Sequence, residues 1–166
     1  MTKCLFEFIG TLVLVLLGDG VVASTVLKHS KGYGGGWIVI TMAWGLAVMC
    51  GVLIAGPWSG AHLNPAVSVG LAAAGSFPWE FVPGYVAAQL LGGFCGAVLV
   101  YLYYKDHFNA TDDPATKLGV FCTMPAIMNK PRNLFCEAVG TFLLVFVILV
   151  IGNEQNTPEI GMGSLG

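Results

Sequence analysis

Gly56-Pro57-Trp58-Ser59-Gly60-Ala61-His62-Leu63-Asn64-Pro65-Ala66 interrupts an apolar stretch, Gly32 to Trp79, that holds no Asp, Glu, Lys or Arg. Asn64 before Pro65 reads as a helix start: Asn suits the N-cap and Pro the first helical position. The helix that follows, Pro65 to Gly75, would be only roughly 16 Å long at 1.5 Å per residue. A bilayer's hydrocarbon core is about 30 Å thick. Irregular backbone is tolerated at that depth only when buried in protein or lining a wet cavity. The stretch therefore predicts a re-entrant loop and half-helix, the logic of a pore or a substrate site.

The rest of the chain agrees with a membrane setting. Of 166 residues, 56% are hydrophobic and 10% charged, with a mean hydropathy of +0.80. Soluble domains carry about 25% charged residues. The net charge of -2 offers nothing to nucleic acid. The first apolar segment carries Glu7, runs long and lacks a clear cleavage site, so it reads as a retained span rather than a signal peptide. Five cysteines, Cys4, Cys50, Cys95, Cys122 and Cys136, form no Cys-x-x-Cys and read as small buried hydrophobes. No metal site follows from their spacing, and no cofactor is expected.

Four spans are expected at about Leu5–Leu27, Trp37–Ala55, Phe81–Tyr104 and Leu134–Ile151. Lys105–Arg132 reads as a polar loop with a turn at Asp112-Asp113-Pro114. The tail Asn153–Gly166 reads as polar, then Gly-rich. Glu7-Phe8-Ile9-Gly10-Thr11 at the head of the first span returns as Glu137-Ala138-Val139-Gly140-Thr141 at the head of the fourth. Three spans precede the second copy, so its orientation is inverted, as in inverted-repeat transporters. Ala88, Gly92 and Gly96 make a smooth face for close helix packing, within or between subunits.

At the half-helix start, the positive dipole end and free N–H groups face mid-membrane. Asn64 can offer its amide N–H₂, and the irregular Gly60-Ala61-His62-Leu63 its carbonyls. That pairing suits a molecule that both donates and accepts hydrogen bonds, such as water or a polyol. Glu7 and Glu137 suit either the interface or a buried role, accepting hydrogen bonds from the N–H groups of a re-entrant loop. His62 suits pore lining or a hydrogen-bonded structural role. Trp44, in mid-span, suits a lipid-facing, core or pore position. Asp19, between Gly18 and Gly20, suggests a helix break or a vestibule-facing turn.

Ser59-Gly60-Ala61-His62-Leu63-Asn64-Pro65-Ala66-Val67 resembles the major intrinsic protein family, the aquaporins and glycerol facilitators. The resemblance extends to Glu7-x-x-Gly10-Thr11, Gln89-x-x-Gly92-Gly93-x-x-Gly96 and Glu137-x-x-Gly140-Thr141. Ala43-Trp44-Gly45-Leu46 and Gly119-Val120-Phe121-Cys122-Thr123-Met124-Pro125 resemble the glycerol facilitator branch.

The resemblance implies an all-α membrane protein, an inverted-repeat bundle of six spans and two half-helices, assembled as a homotetramer with one pore per subunit. Four spans and one half-helix fall in this chain. The first repeat is expected at about 1–130 with its half-helix at 65–75, and the start of the second at about 131–166. A second Asn-Pro-Ala, the filter arginine after it and two further spans are not in this sequence. The chain is therefore expected to represent the N-terminal two thirds of a single channel domain.

By the same resemblance Trp44 forms a wall of the narrow filter. Gly60, Ala61, His62 and Leu63 line the pore, Asn64-Pro65-Ala66 marks its centre, and Glu7 and Glu137 brace the re-entrant loops. Exclusion of cations at a half-helix end is a general property of aquaporin-type pores. The function implied is passive conduction of glycerol and similar small neutral solutes, with some water. Dihydroxyacetone, urea, hydrogen peroxide and lactic acid are compatible solutes. A strict water channel and a non-conducting membrane fragment are the alternatives. An enzyme using His62 with Glu7 or Glu137 is disfavoured, because no nucleophile or metal ligand accompanies them. The family places the N-terminus in the cytoplasm. Lys28, Lys31, Lys105, Lys117, Lys130 and Arg132 then lie outside and only Lys3 inside, against the usual Lys/Arg bias.

Overall fold

The computed structural model describes residues 1–152, so the tail read as polar and Gly-rich lies outside the described residues. Seven α-helices are described: α1 (Thr2–Val26), α2 (Gly36–Ser59), α3 (Pro65–Ala73), α4 (Val82–Tyr103), α5 (Lys105–Ala110), α6 (Pro114–Gly119) and α7 (Lys130–Ile151). A 3₁₀ turn, Trp79–Phe81, leads into α4. No strand occurs among the described residues. The segments containing α1, α2, α4 and α7 are long and apolar enough to cross a membrane, with mean hydropathies of 2.1, 2.4, 1.7 and 2.7. The nine residues of α3 reach only about 14 Å.

Three local expectations are corrected. The break expected from Gly56 onward is shorter, because α2 continues through Pro57 to Ser59. Proline this close to a helix end disturbs little: its missing N–H and its ring affect only the Leu53 carbonyl. Gly60, at φ +83°, then ends the helix and donates its N–H to the Gly56 carbonyl at 3.1 Å. No break occurs at Asp19, since α1 runs unbroken past Gly18 and Gly20. Within the loop after α4, Asp113 caps α6 instead of making a simple turn. Its carboxylate accepts from the N–H groups of Ala115 and Thr116 at 3.2 and 3.0 Å.

α1 is the central helix, packed between α2 and α4. Between apolar helices in lipid, close backbone approach replaces the hydrophobic drive of soluble cores. Glycine allows that approach here. On the α2 side, a Cβ at Gly10 would lie 2.6 Å from Leu63 Cδ2 and 2.9 Å from Ala55 Cβ. On the α4 side, a Cβ at Gly96 would lie 2.7 Å from the Leu12 carbonyl oxygen, and Gly92 rests on the backbone of Phe8. The small-residue face at Gly92 and Gly96 thus packs within the chain.

Beyond the crossings, Ala23, Leu27, Val100, Phe108 and Val120 form a buried cluster that seats α5 and α6 on the helix ends. Two connections are tied together there. The Lys28 N–H donates to Thr111 Oγ1 at 3.0 Å, His107 Nδ1 donates to the Lys28 carbonyl at 3.0 Å, and Lys28 Nζ meets Asp112 Oδ2 at 2.7 Å. α7 meets α3, where Gly70 lies against Val145, and it has no buried residue.

Candidate functional site

The loop between α2 and α3 is the most constrained backbone among the described residues. After Gly60, Ala61 and Leu63 also take positive φ, +49° and +54°. Non-glycine residues there cost of order 1–3 kcal/mol each and persist only where surroundings fix them. The surroundings converge on Glu7. Its Oε1 accepts from the His62 N–H at 2.9 Å and from Ser59 Oγ at 2.6 Å. Its Oε2 accepts from the Leu63 N–H at 2.8 Å and from Gln89 Nε2 at 2.7 Å. The carboxylate is fully buried. A buried carboxylate without donors would be prohibitive, and four donors meet the need.

A second layer holds the first. Gln89 Nε2 also donates to Ser68 Oγ at 3.0 Å, and Ser68 Oγ shares a hydrogen bond with His62 Nδ1 at 3.0 Å. The Tyr85 hydroxyl donates to the Ser59 carbonyl at 2.8 Å. The His62 ring lies edge-on to Phe77 and Tyr85, with centroids 4.5 and 4.9 Å away. The imidazole is therefore packed in the wall behind the loop; what His62 can offer in front is its carbonyl.

With the N–H groups of His62 and Leu63 drawn back to Glu7, the carbonyls of Gly60, Ala61, His62 and Leu63 accept no hydrogen bond from the described residues. Asn64 follows in extended conformation, φ −150°, as the N-cap of α3. Its Oδ1 accepts from the Ala66 N–H at 2.8 Å, and its carbonyl accepts from the Ser68 N–H at 3.1 Å. Its amide nitrogen donates to no described residue, and the side chain is half-buried. Four acceptors in sequence, unpartnered among the described residues, thus end at a donor likewise unpartnered, at the positive end of a helix.

Trp44 lies apart from this loop. Leu63 packs on Gly10, whereas the Trp44 ring packs on Gly18. Eight residues of α1 separate the two glycines, about 12 Å along the axis. The ring is half-buried. The site residues therefore fall in two tiers on α1, with Gly60 to Asn64 at one level and Trp44 at another. Glu137 joins neither: it is exposed on α7 and accepts no side-chain hydrogen bond among the described residues. No cluster of metal-ligating groups occurs among the described residues.

Ser59 and Gln89 fall in the sequence motifs, whereas Ser68 and Tyr85, which also support the loop, do not. Gln89, a polar residue inside an apolar span, carries the clearest signal of the four. Tyr85 carries none, since tyrosine is common near membrane interfaces.

The sequence matches the family model for the major intrinsic protein over residues 1–164. It is 56% identical over 155 residues to a probable glycerol uptake facilitator protein of Thermotoga maritima, covering 93% of this chain and 66% of that protein. It is 49% identical over 160 residues to the glycerol uptake facilitator protein of Bacillus subtilis, covering 96% of this chain and 58% of that one. Among solved structures, the aquaglyceroporin from Plasmodium falciparum is 42% identical, with a TM-score of 0.61 over 65% of this chain and 43% of that one. The chain thus spans less than two thirds of the length of these relatives. With four apolar helices of spanning length, it is a multi-pass membrane protein. By the family match and the identity to these relatives, the chain belongs to the major intrinsic protein family.

Proposed function

We propose that the chain forms a passive path for glycerol and similar small neutral solutes, with some water. The observation that carries this reading is the run of four carbonyls, Gly60 to Leu63, ending at the Asn64 amide, all without a partner among the described residues. A polyol hydroxyl donates to a carbonyl and accepts from the amide, so a molecule moving along the run exchanges one partner for the next. Trp44 contributes an apolar wall for the carbon backbone. The names of the Thermotoga and Bacillus relatives support the choice of glycerol.

The path involves no chemical step and no cofactor. The His62 ring, held between Ser68, Phe77 and Tyr85, is poorly placed as a base for a substrate. Glu7 acts as a brace for the Gly60–Asn64 loop. Glu137, at the matching place in the second Glu-x-x-Gly-Thr, braces the corresponding loop of an inverted second repeat that α7 opens. The N-terminus lies in the cytoplasm of a cell-membrane protein, and the working assembly is a homotetramer.

Uptake of radiolabelled glycerol by proteoliposomes holding this chain tests the proposal. Uptake well above that of empty liposomes, with sorbitol excluded, is expected. Uptake equal to that of empty liposomes would refute it for this chain.

A further inference from the structure

Gly18 lies in the middle of α1, where no turn or positive φ calls for glycine. Helix propensity there favours alanine. What excludes alanine is Trp44. A Cβ at residue 18 would lie 2.5 Å from Trp44 Cζ3 and 2.6 Å from Cε3 and Cη2, closer than real Cβ contacts come. These three atoms belong to one rigid ring, so no single atom can yield; the whole indole must move. Gly20, two residues further on, has nothing within 4 Å of its Cβ position. The requirement is local to the ring.

The contact also orients the indole. The near-equal distances to three consecutive ring atoms place that Cβ over the face of the six-membered ring, so the indole lies flat against α1 at Gly18. Nε1 donates to no described residue. We propose that Gly18 is a positioning residue that seats the Trp44 ring against α1, and so sets the ratio of glycerol to water permeation. The selectivity clause rests on Trp44 being a wall of the solute path. A methyl group at residue 18 drives the ring off the helix and further into that path. A carbon-chain solute loses clearance before water does.

Two readouts on the full chain test this. In a variant whose only tryptophan is Trp44 (Trp37, Trp58 and Trp79 each changed to Phe), emission and acrylamide quenching report the ring's position. Gly18→Ala is expected to shift the emission and alter the quenching, and Gly20→Ala to do neither. In proteoliposomes with the native tryptophans, Gly18→Ala is expected to lower the glycerol-to-water permeability ratio about tenfold, which is about 1.4 kcal/mol at the barrier. Combining Gly18→Ala with Trp44→Phe restores the ratio of Trp44→Phe alone, since the smaller ring leaves room for the methyl.

An unmoved Trp44 spectrum in Gly18→Ala overturns the seating. A moved spectrum with an unchanged ratio, or an equal fall in the double variant, overturns the selectivity clause. If the unaltered chain passes no glycerol, the functional reading fails together with the selectivity clause, while the spectrum still decides the seating.

Discussion

Glu7 and Leu63 are joined by a 2.8 Å hydrogen bond from a strained backbone N–H to a fully buried carboxylate. Leu63 stands at φ +54°, and its side chain is wedged between Gly10 and Gly51 where α1 and α2 cross. The bond therefore links the backbone geometry of the loop to the packing of two helices. A loop held from behind in this way keeps its carbonyls free in front.

Glu7→Gln tests that link. Glutamine keeps one acceptor oxygen but turns an N–H₂ toward donors already on Glu7, the Leu63 N–H or Gln89 Nε2 among them. A buried charged acceptor with several donors should be worth about 2–3 kcal/mol or more. The expected result is a lower unfolding temperature in detergent and loss of glycerol flux. Unchanged stability would show that the loop holds its shape without the carboxylate.

Asn64→Asp separates donor from cap. Aspartate caps a helix about as well as asparagine, so the start of α3 should persist. The amide donor is gone and a negative charge faces the path. Glycerol flux should fall at least tenfold, the effect of losing about 1.4 kcal/mol at the barrier. Flux at the unaltered level would remove the amide from the account.

Gly92→Ala places a methyl against the backbone of Phe8, where no flexible side chain can give way. Destabilisation of about 1–3 kcal/mol is expected. Gly20→Ala, in open space, should cause none. Comparing the thermal unfolding of the two variants checks that helix crossings, and not glycine content, hold the bundle.

The tie between Lys28 and Asp112 gives a pH signature. The Lys28 ammonium holds the Asp112 carboxyl below its ordinary 3.8, chiefly by a hydrogen bond and then by charge. The same pair raises Lys28 above its ordinary 10.5. For a depressed carboxylate, the stabilisation is complete above the unfolded value and is lost as pH falls through the folded one. For a raised lysine, it is complete below 10.5 and is lost as pH rises through the folded value. The tie should thus persist from about pH 4 to 10 and loosen outside that window. A carboxyl ¹³C titration should place the Asp112 midpoint below 3.8 and return it toward 3.8 in Lys28→Ala. A midpoint at or above 3.8, unmoved by Lys28→Ala, would contradict the pairing.

Much of this fold is legible in the residues because the membrane imposes simple rules. Long uncharged runs must be helices, and Asn64-Pro65 starts one too short to cross. That Glu7 needs donors follows from its residue type; which donors it finds depends on α2 and α4 closing around it, and no local pattern carries that. The same holds for Gly18, whose role lies in a contact with a residue on another helix. The extent of α2 past Pro57 escapes a local reading because proline near a helix end costs little. The six-residue helices α5 and α6 are too short to show a period, although Asp113 before Pro114 carries their one clear capping signal. Glu137 departs most from what its repeat with Glu7 suggests, since it is exposed on α7 and accepts no side-chain hydrogen bond among the described residues.

The most direct measurement is stopped-flow light scattering of proteoliposomes containing this chain, shocked in turn with glycerol and sorbitol. Shrinkage followed by fast re-swelling in glycerol alone, abolished in Asn64→Asp, is the result expected if Gly60 to Asn64 form a solute path. Re-swelling no faster than in empty liposomes, or equal rates in Asn64→Asp and the unaltered chain, would contradict it.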